Sequence, residues 1–126
     1  MTAVVGQSPK YKFQKLEINQ LALCYLDLVY SLAEKLPRSE DYNLRSQLIR
    51  AATSVVLNIA EGSTGQSNPE QSRFPGMALR SLVQTVACQE IIERRKYAVE
   101  SDPVELSECG HKLFAKIQAM RKTLER

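Results

Sequence analysis

The chain has no tryptophan and a single histidine, and aromatic residues make up only 6% of its 126 positions. With so few large rings, the core has to be filled by leucine, isoleucine, valine and alanine. Cysteine is also scarce. Cys24, Cys88 and Cys109 form no close pair and no metal-ligand spacing; an odd, scattered set in apolar-patterned segments suits reduced core cysteines of a cytosolic protein. There is no Gly-x-Gly-x-x-Gly and no phosphate loop ending in lysine and serine or threonine. No run approaches the roughly 20 apolar residues of a membrane span. Met1 to Gly6 has neither the basic nor the apolar region of a signal peptide, so the expected location is the cytoplasm.

Catalytic constellations are missing too. Cys109 and His111 lie two residues apart, which on a helix points them away from each other. Glu108-x-x-His111 is one helical ligand pair, whereas a di-iron bundle requires two such pairs and two further glutamates. Glu108 is better placed to support Lys112 at i,i+4. The expectation is a protein that binds or scaffolds and does not catalyse, with no cofactor, metal, membrane or small-molecule substrate.

What is present is helical periodicity. The chain is 44% hydrophobic and 25% charged, as ordinary globular proteins are, and long enough for one domain. Residues 1–16 read as a polar arm, with Gly6, Ser8 and Pro9 opposing regular structure. A first helix is predicted over about 17–36, where Ile18, Leu21, Tyr25, Leu28 and Leu32 repeat at three and four residues. Pro37 and the polar run to Asp41 stop it. A second helix is predicted over about 43–61, with Asn43 as cap, the stripe Leu44, Leu48, Ala52, Val55 and Ile59, and Gly62 as a left-handed closing residue. A third runs over about 69–97, opened by Asn68-Pro69-Glu70-Gln71 and disturbed at Pro75-Gly76, where a bend or a fresh start is expected. A fourth runs over about 103–125, capped by Asp102, with Gly110 at a missing heptad step where a small residue lets helices approach. Short connections favour an antiparallel up-down-up-down four-helix bundle over residues 17–126.

The second and third helices are apolar well beyond one stripe. Ile49, Val56 and Leu57 widen one, and Leu79, Val83 and Val86 widen the other. A lone small bundle does not need such faces, so neighbouring copies are expected to cover them. The net charge is +3, and Lys10, Lys12 and Lys15 in the acid-free arm account for all of it. Any positive surface on the neutral remainder depends on how charges sort between faces. Lys12, Lys15, Arg45, Arg73, Arg80, Lys112 and Lys116 are the candidate phosphate contacts, and an oligomer would multiply them. Arg50, Asn58 and Glu61 fall near one side of the second helix and are candidates for a structural polar network or an interface.

The run Tyr42-Asn43-Leu44-Arg45-Ser46-Gln47-Leu48-Ile49-Arg50-Ala51-Ala52, continued by Ser54 to Ser63 with Asn58-Ile59-Ala60-Glu61-Gly62 at its centre, carries a family resemblance. It resembles the four-helix-bundle family of bacterial proteins encoded in intervening sequences of large-subunit (23S) ribosomal RNA genes. That family includes the accessory variability determinant of diversity-generating retroelements. The resemblance spans about residues 13–125. It implies a homopentameric ring and, in the retroelement branch, a scaffold that binds nucleic acid and a reverse transcriptase. Arg50, Asn58 and Glu61 match the family's characteristic polar positions, with no catalytic role attached. Two functions stay open: an oligomeric scaffold associated with RNA, DNA or a nucleic-acid-handling enzyme, and a structural or protein-interaction oligomer without nucleic-acid binding of its own.

Overall fold

The computed structural model describes residues 11–64, 69–98 and 101–125. Among them the regular structure is all helical, with no strand, as the periodicity predicts. The helices are α1 (Lys12–Lys15), α2 (Glu17–Glu34), α3 (Leu44–Gly62), α4 (Arg73–Arg94) and α5 (Ser101–Glu125), with 3₁₀ turns at Arg38–Glu40 and Pro69–Ser72. α2 packs on α3, α3 on α4, α4 on α5, and α5 returns to α2. The four long helices therefore close a cycle around one core.

That core follows the apolar spacing. Ala22, Tyr25, Val29 and Leu32 of α2 meet Leu48, Ala52, Val55 and Ile59 of α3, Ala78, Leu82 and Ile92 of α4, and Leu106, Leu113 and Ile117 of α5, all essentially inaccessible to water. Each such leucine or isoleucine contributes about 1.5–3 kcal/mol relative to an exposed position. One polar pair lies among them. The Tyr25 hydroxyl and Thr85 Oγ1 are 2.6 Å apart, and Thr85 also donates to the Leu82 carbonyl at 2.6 Å. Buried hydroxyls carry a desolvation cost unless bonded, and here both are. Gly110 packs directly on the Tyr25 ring; a Cβ built there would stand 3.1 Å from Tyr25 Cε1. The small residue does allow close helix approach.

Several local expectations change. The arm is not wholly irregular: the Tyr11 amide donates to Gln14 Oε1 at 2.8 Å and closes the single turn α1 before Leu16 becomes extended. Residues 1–10, including Lys10, lie outside the described part. Asn43 precedes α3 but does not cap it. Its amide donates to Glu40 Oε1 at 3.0 Å and its Oδ1 accepts from Gln47 at 2.8 Å, while the Leu44 amide reaches the Glu40 carboxylate at 3.4 Å. Gly62 does not turn left-handed; it is the last, buried residue of α3. A Cβ there would stand 2.9 Å from Met120 Cε and 3.1 Å from Pro75 Cδ. Glycine here favours close approach and does not turn the chain.

The left-handed residue is Lys96, at φ 60 beyond α4. The Lys96 amide bonds the Glu93 carbonyl and the Tyr97 amide bonds the Ile92 carbonyl, each at 3.1 Å, the paired pattern of a Schellman closure. Pro75 resolves as a fresh start: α4 begins at Arg73, so proline sits in the first turn, where its missing amide leaves no helical bond unmade. The predicted cap Asn68 lies outside the described residues. Gln71 serves elsewhere, donating to the Glu61 carbonyl at 2.6 Å and to Thr64 Oγ1 at 3.0 Å, which satisfies the end of α3. α5 begins at Ser101, before the expected start, and the side chain of Asp102 lies outside the described residues.

Candidate interaction surfaces

Among the described residues no group of three or more histidine, cysteine, aspartate or glutamate side chains is placed to hold a metal. No helix there is long and apolar enough to cross a membrane. The three cysteines are unpaired and differ in setting: Cys88 is buried, Cys109 half-buried, and Cys24 exposed, so the last is not the core residue its pattern suggested. Burial pushes the Cys88 and Cys109 thiols up, away from the thiolate. His111 is exposed at a cleft of about 410 Å³ between α4 and α5, beside Gln89, Ser107 and Phe114; neither an acid nor a cysteine lines it. The Glu108–Lys112 pair expected from spacing is not made among the described residues.

The predicted phosphate contacts separate into different settings. Lys12, Lys15, Arg73, Arg80 and Lys112 are exposed. Arg73 lies over the Phe74 ring, 4.8 Å from its centroid. Lys116 pairs with Glu17 at 3.0 Å and ties α5 to α2, so its charge is already met. Arg45 departs furthest from expectation. Its Nε donates to the Ala33 carbonyl at 3.0 Å, its Nη2 to the Leu36 carbonyl, and its Nη1 pairs with Asp41. This half-buried guanidinium closes the C-terminal end of α2, where carbonyls lack helical partners, and is not free for phosphate. The sequence reasoning missed Arg121, which shares a groove with Arg73 and Arg80 between α4 and α5, over Leu79, Val83 and Phe114, and pairs with Glu125 at 3.2 Å. Its signal was seven-residue spacing from Phe114 on a helix already known to be amphipathic.

Arg50, Asn58 and Glu61 are not joined to one another within the chain. Arg50 donates to Ser46 Oγ at 3.2 Å and is exposed. Asn58 donates to the Ser54 carbonyl and hydroxyl at 2.9 and 3.1 Å; Ser81 Oγ of α4 then meets Ser54 Oγ at 2.9 Å. This links α3 to α4. The Glu61 carboxylate is exposed and has no bonded partner among the described residues.

Apolar side chains remain on the outside. Leu57 of α3 is 60% exposed and Val83 of α4 56%, with Met77, Val86 and Ile91 of α4 about half exposed. Ile49 and Val56, by contrast, pack against the core as partly buried residues. Four of the exposed residues, Met77, Val83, Val86 and Ile91, lie on α4 and Leu57 on α3; Leu23 and Tyr30 of α2, Tyr42 before α3 and Val104 of α5 are exposed as well.

Residues 14–119 match the family model described as 23S rRNA-intervening sequence protein. Among solved structures, the chain is similar to a protein of unknown function from the S23 ribosomal protein family of Bacteroides thetaiotaomicron VPI-5482, with a TM-score of 0.75 and 19% identity over 84% of this chain and 96% of that one. At that identity the likeness concerns the fold. No curated protein matches.

Proposed function

We propose that this chain, which belongs to the 23S rRNA-intervening sequence protein family, is a non-catalytic oligomeric scaffold that associates with nucleic acid or with an enzyme acting on it. The observation that carries this reading is the uncovered apolar surface of α4 and Leu57 on an otherwise well-filled core. Large exposed apolar faces mark interaction sites. We read the cycle of helices as an up-down-up-down bundle and the assembly as a ring, a homopentamer by family resemblance.

Charge placement supports the nucleic-acid side of the proposal. Gly62 abuts Pro75 and Met120, and Glu17 meets Lys116, which brings the end of α3 and the starts of α2 and α4 beside the C-terminal part of α5. Lys12, Lys15 and Arg73 therefore gather toward one end of the molecule, where Arg121 is already paired with Glu125 at 3.2 Å. In a ring, every copy repeats Lys12, Lys15 and Arg73 on one rim. Lone contacts of this kind are weak, but repeated ones gain through effective concentration.

A fluorescence titration with single-stranded RNA and DNA, at low and at physiological salt, tests this. Binding should weaken as salt rises, because phosphate contacts release counterions. The double substitution Lys12→Glu and Lys15→Glu should weaken it at least tenfold with no change in assembly mass. No binding at either salt would remove the nucleic-acid role and leave the alternative, a structural or protein-interaction oligomer.

A further inference from the structure

The outer faces of α3 and α4 carry matching patterns. On α3, Arg50, Leu57 and Glu61 follow one another at seven and four residues, which places all three on one stripe. On α4, Arg80, Val83, Ala87 and Glu90 follow at three, four and three, again one stripe. All seven side chains are exposed. Each stripe has a charge at both ends and apolar surface between them. The order is the same in both: α3 reads cation, leucine, anion along the chain, and α4 reads cation, valine and alanine, anion. From Arg50 to Glu61 is about 16.5 Å of helix, and from Arg80 to Glu90 about 15 Å. Two helices packed antiparallel through these stripes would set Glu61 against Arg80, Arg50 against Glu90, and Leu57 against Val83 and Ala87.

We propose that α3 of one copy packs on α4 of the next through these stripes, and that this contact builds the oligomer. The inference rests on the oligomeric reading above and names the surface that reading requires. The occupant is a second copy of this chain, because each stripe supplies the charges that the other lacks. Among the described residues, Glu61, Arg80 and Glu90 have no ion-pair partner within the chain, and Arg50 has only the Ser46 hydroxyl. Pairing these groups across a contact that excludes water is worth more than pairing them on an open surface.

The geometry also selects the symmetry. The two stripes differ, so the contact is heterologous, and each copy offers one to either side. α3 and α4 are adjacent members of the helical cycle, not opposite ones. Each added copy therefore turns in the same sense, the turning that a closed ring requires. Antiparallel α3–α4 packing between copies keeps all copies in one orientation, so that Lys12 and Lys15 come to a single rim. Arg80 then belongs to the subunit contact and not to phosphate binding.

Light scattering on size-exclusion fractions of the full chain tests this, with far-UV circular dichroism confirming that each variant is folded. Leu57→Asp and Val83→Asp should each reduce the assembly to the 14.2 kDa chain. Glu61→Arg and Arg80→Glu should each weaken it at least tenfold by dilution, and the two together should restore it, since every copy then offers the exchanged pair. A wild-type assembly untouched by Leu57→Asp but broken by Val83→Asp would point to a symmetric contact between α4 faces and overturn this inference, leaving the oligomeric reading intact. Failure of the double variant to recover, with both single variants weakened, would overturn the Glu61–Arg80 pairing. A monomeric wild type would overturn both.

Discussion

A methyl group at Gly110 would be tight, 3.1 Å from Tyr25 Cε1. The nearest atom belongs to a ring that cannot give way easily, because the Tyr25 hydroxyl is held by Thr85 at 2.6 Å. Gly110→Ala gains about 1 kcal/mol of helix propensity but forces a close core contact costing about 1–3 kcal/mol. A net loss of about 1 kcal/mol in urea unfolding is expected. The same tyrosine carries a pH signature. Burial pushes its pKa up from 10.0 to about 12. In that interval the unfolded chain gives up the proton first, so stability falls as pH rises from about 10 to 12, by at most about 1.4 kcal/mol per pH unit. Tyr25→Phe should flatten that part of the profile. Tyr25 and Gly110 were legible in sequence as core and spacer, since both fall on the apolar period. Gly62 was legible as important but for the wrong reason, because what crowds a side chain there is Pro75 and the end of Met120. Lys96 was not legible at all: the left-handed position carries a lysine where the common signal is glycine.

At the scale of elements, helix ends proved harder to read than helix bodies. Apolar spacing depends on one segment alone, whereas caps here come from elsewhere. Glu40 serves the first turn of α3 and accepts from the Tyr97 hydroxyl at 3.0 Å; that bond, with those from Asn43 and Leu44, holds its carboxyl below the usual range. Arg45 serves the end of α2 from the start of α3. Arg45→Ala should cost about 1–3 kcal/mol, because two carbonyls lose a charged donor. Arg45→Lys should recover only part of it, as an ammonium cannot reproduce the planar fork. Thermal unfolding of the three forms measures both. A variant with unchanged stability would show that these bonds do not hold α2. The same cross-element partners explain why the list of basic residues could not be sorted from sequence. Nothing in the spacing of Arg45 or Lys116 distinguishes a spent cation from a free one.

For the whole molecule, the all-helical class followed from periodicity, and the family from the run around Asn58-Ile59-Ala60-Glu61-Gly62. The candidate site was only partly legible. The widened faces of the second and third helices marked where surface would remain uncovered, yet Ile49 and Val56 found cover within the chain and α4 kept most of the exposure. Arg50, Asn58 and Glu61, read from sequence as a polar network or an interface, are not joined within the chain: Asn58 makes an internal link through Ser54, and Arg50 and Glu61 are exposed. Neither charge has an ion-pair partner among the described residues, which leaves both for the contact proposed above. Association is therefore decisive, and sedimentation equilibrium of the unmodified chain at micromolar concentration tests it most directly. A single species of several times 14.2 kDa is expected. A well-folded species at one chain mass, unchanged on raising the concentration, would contradict it.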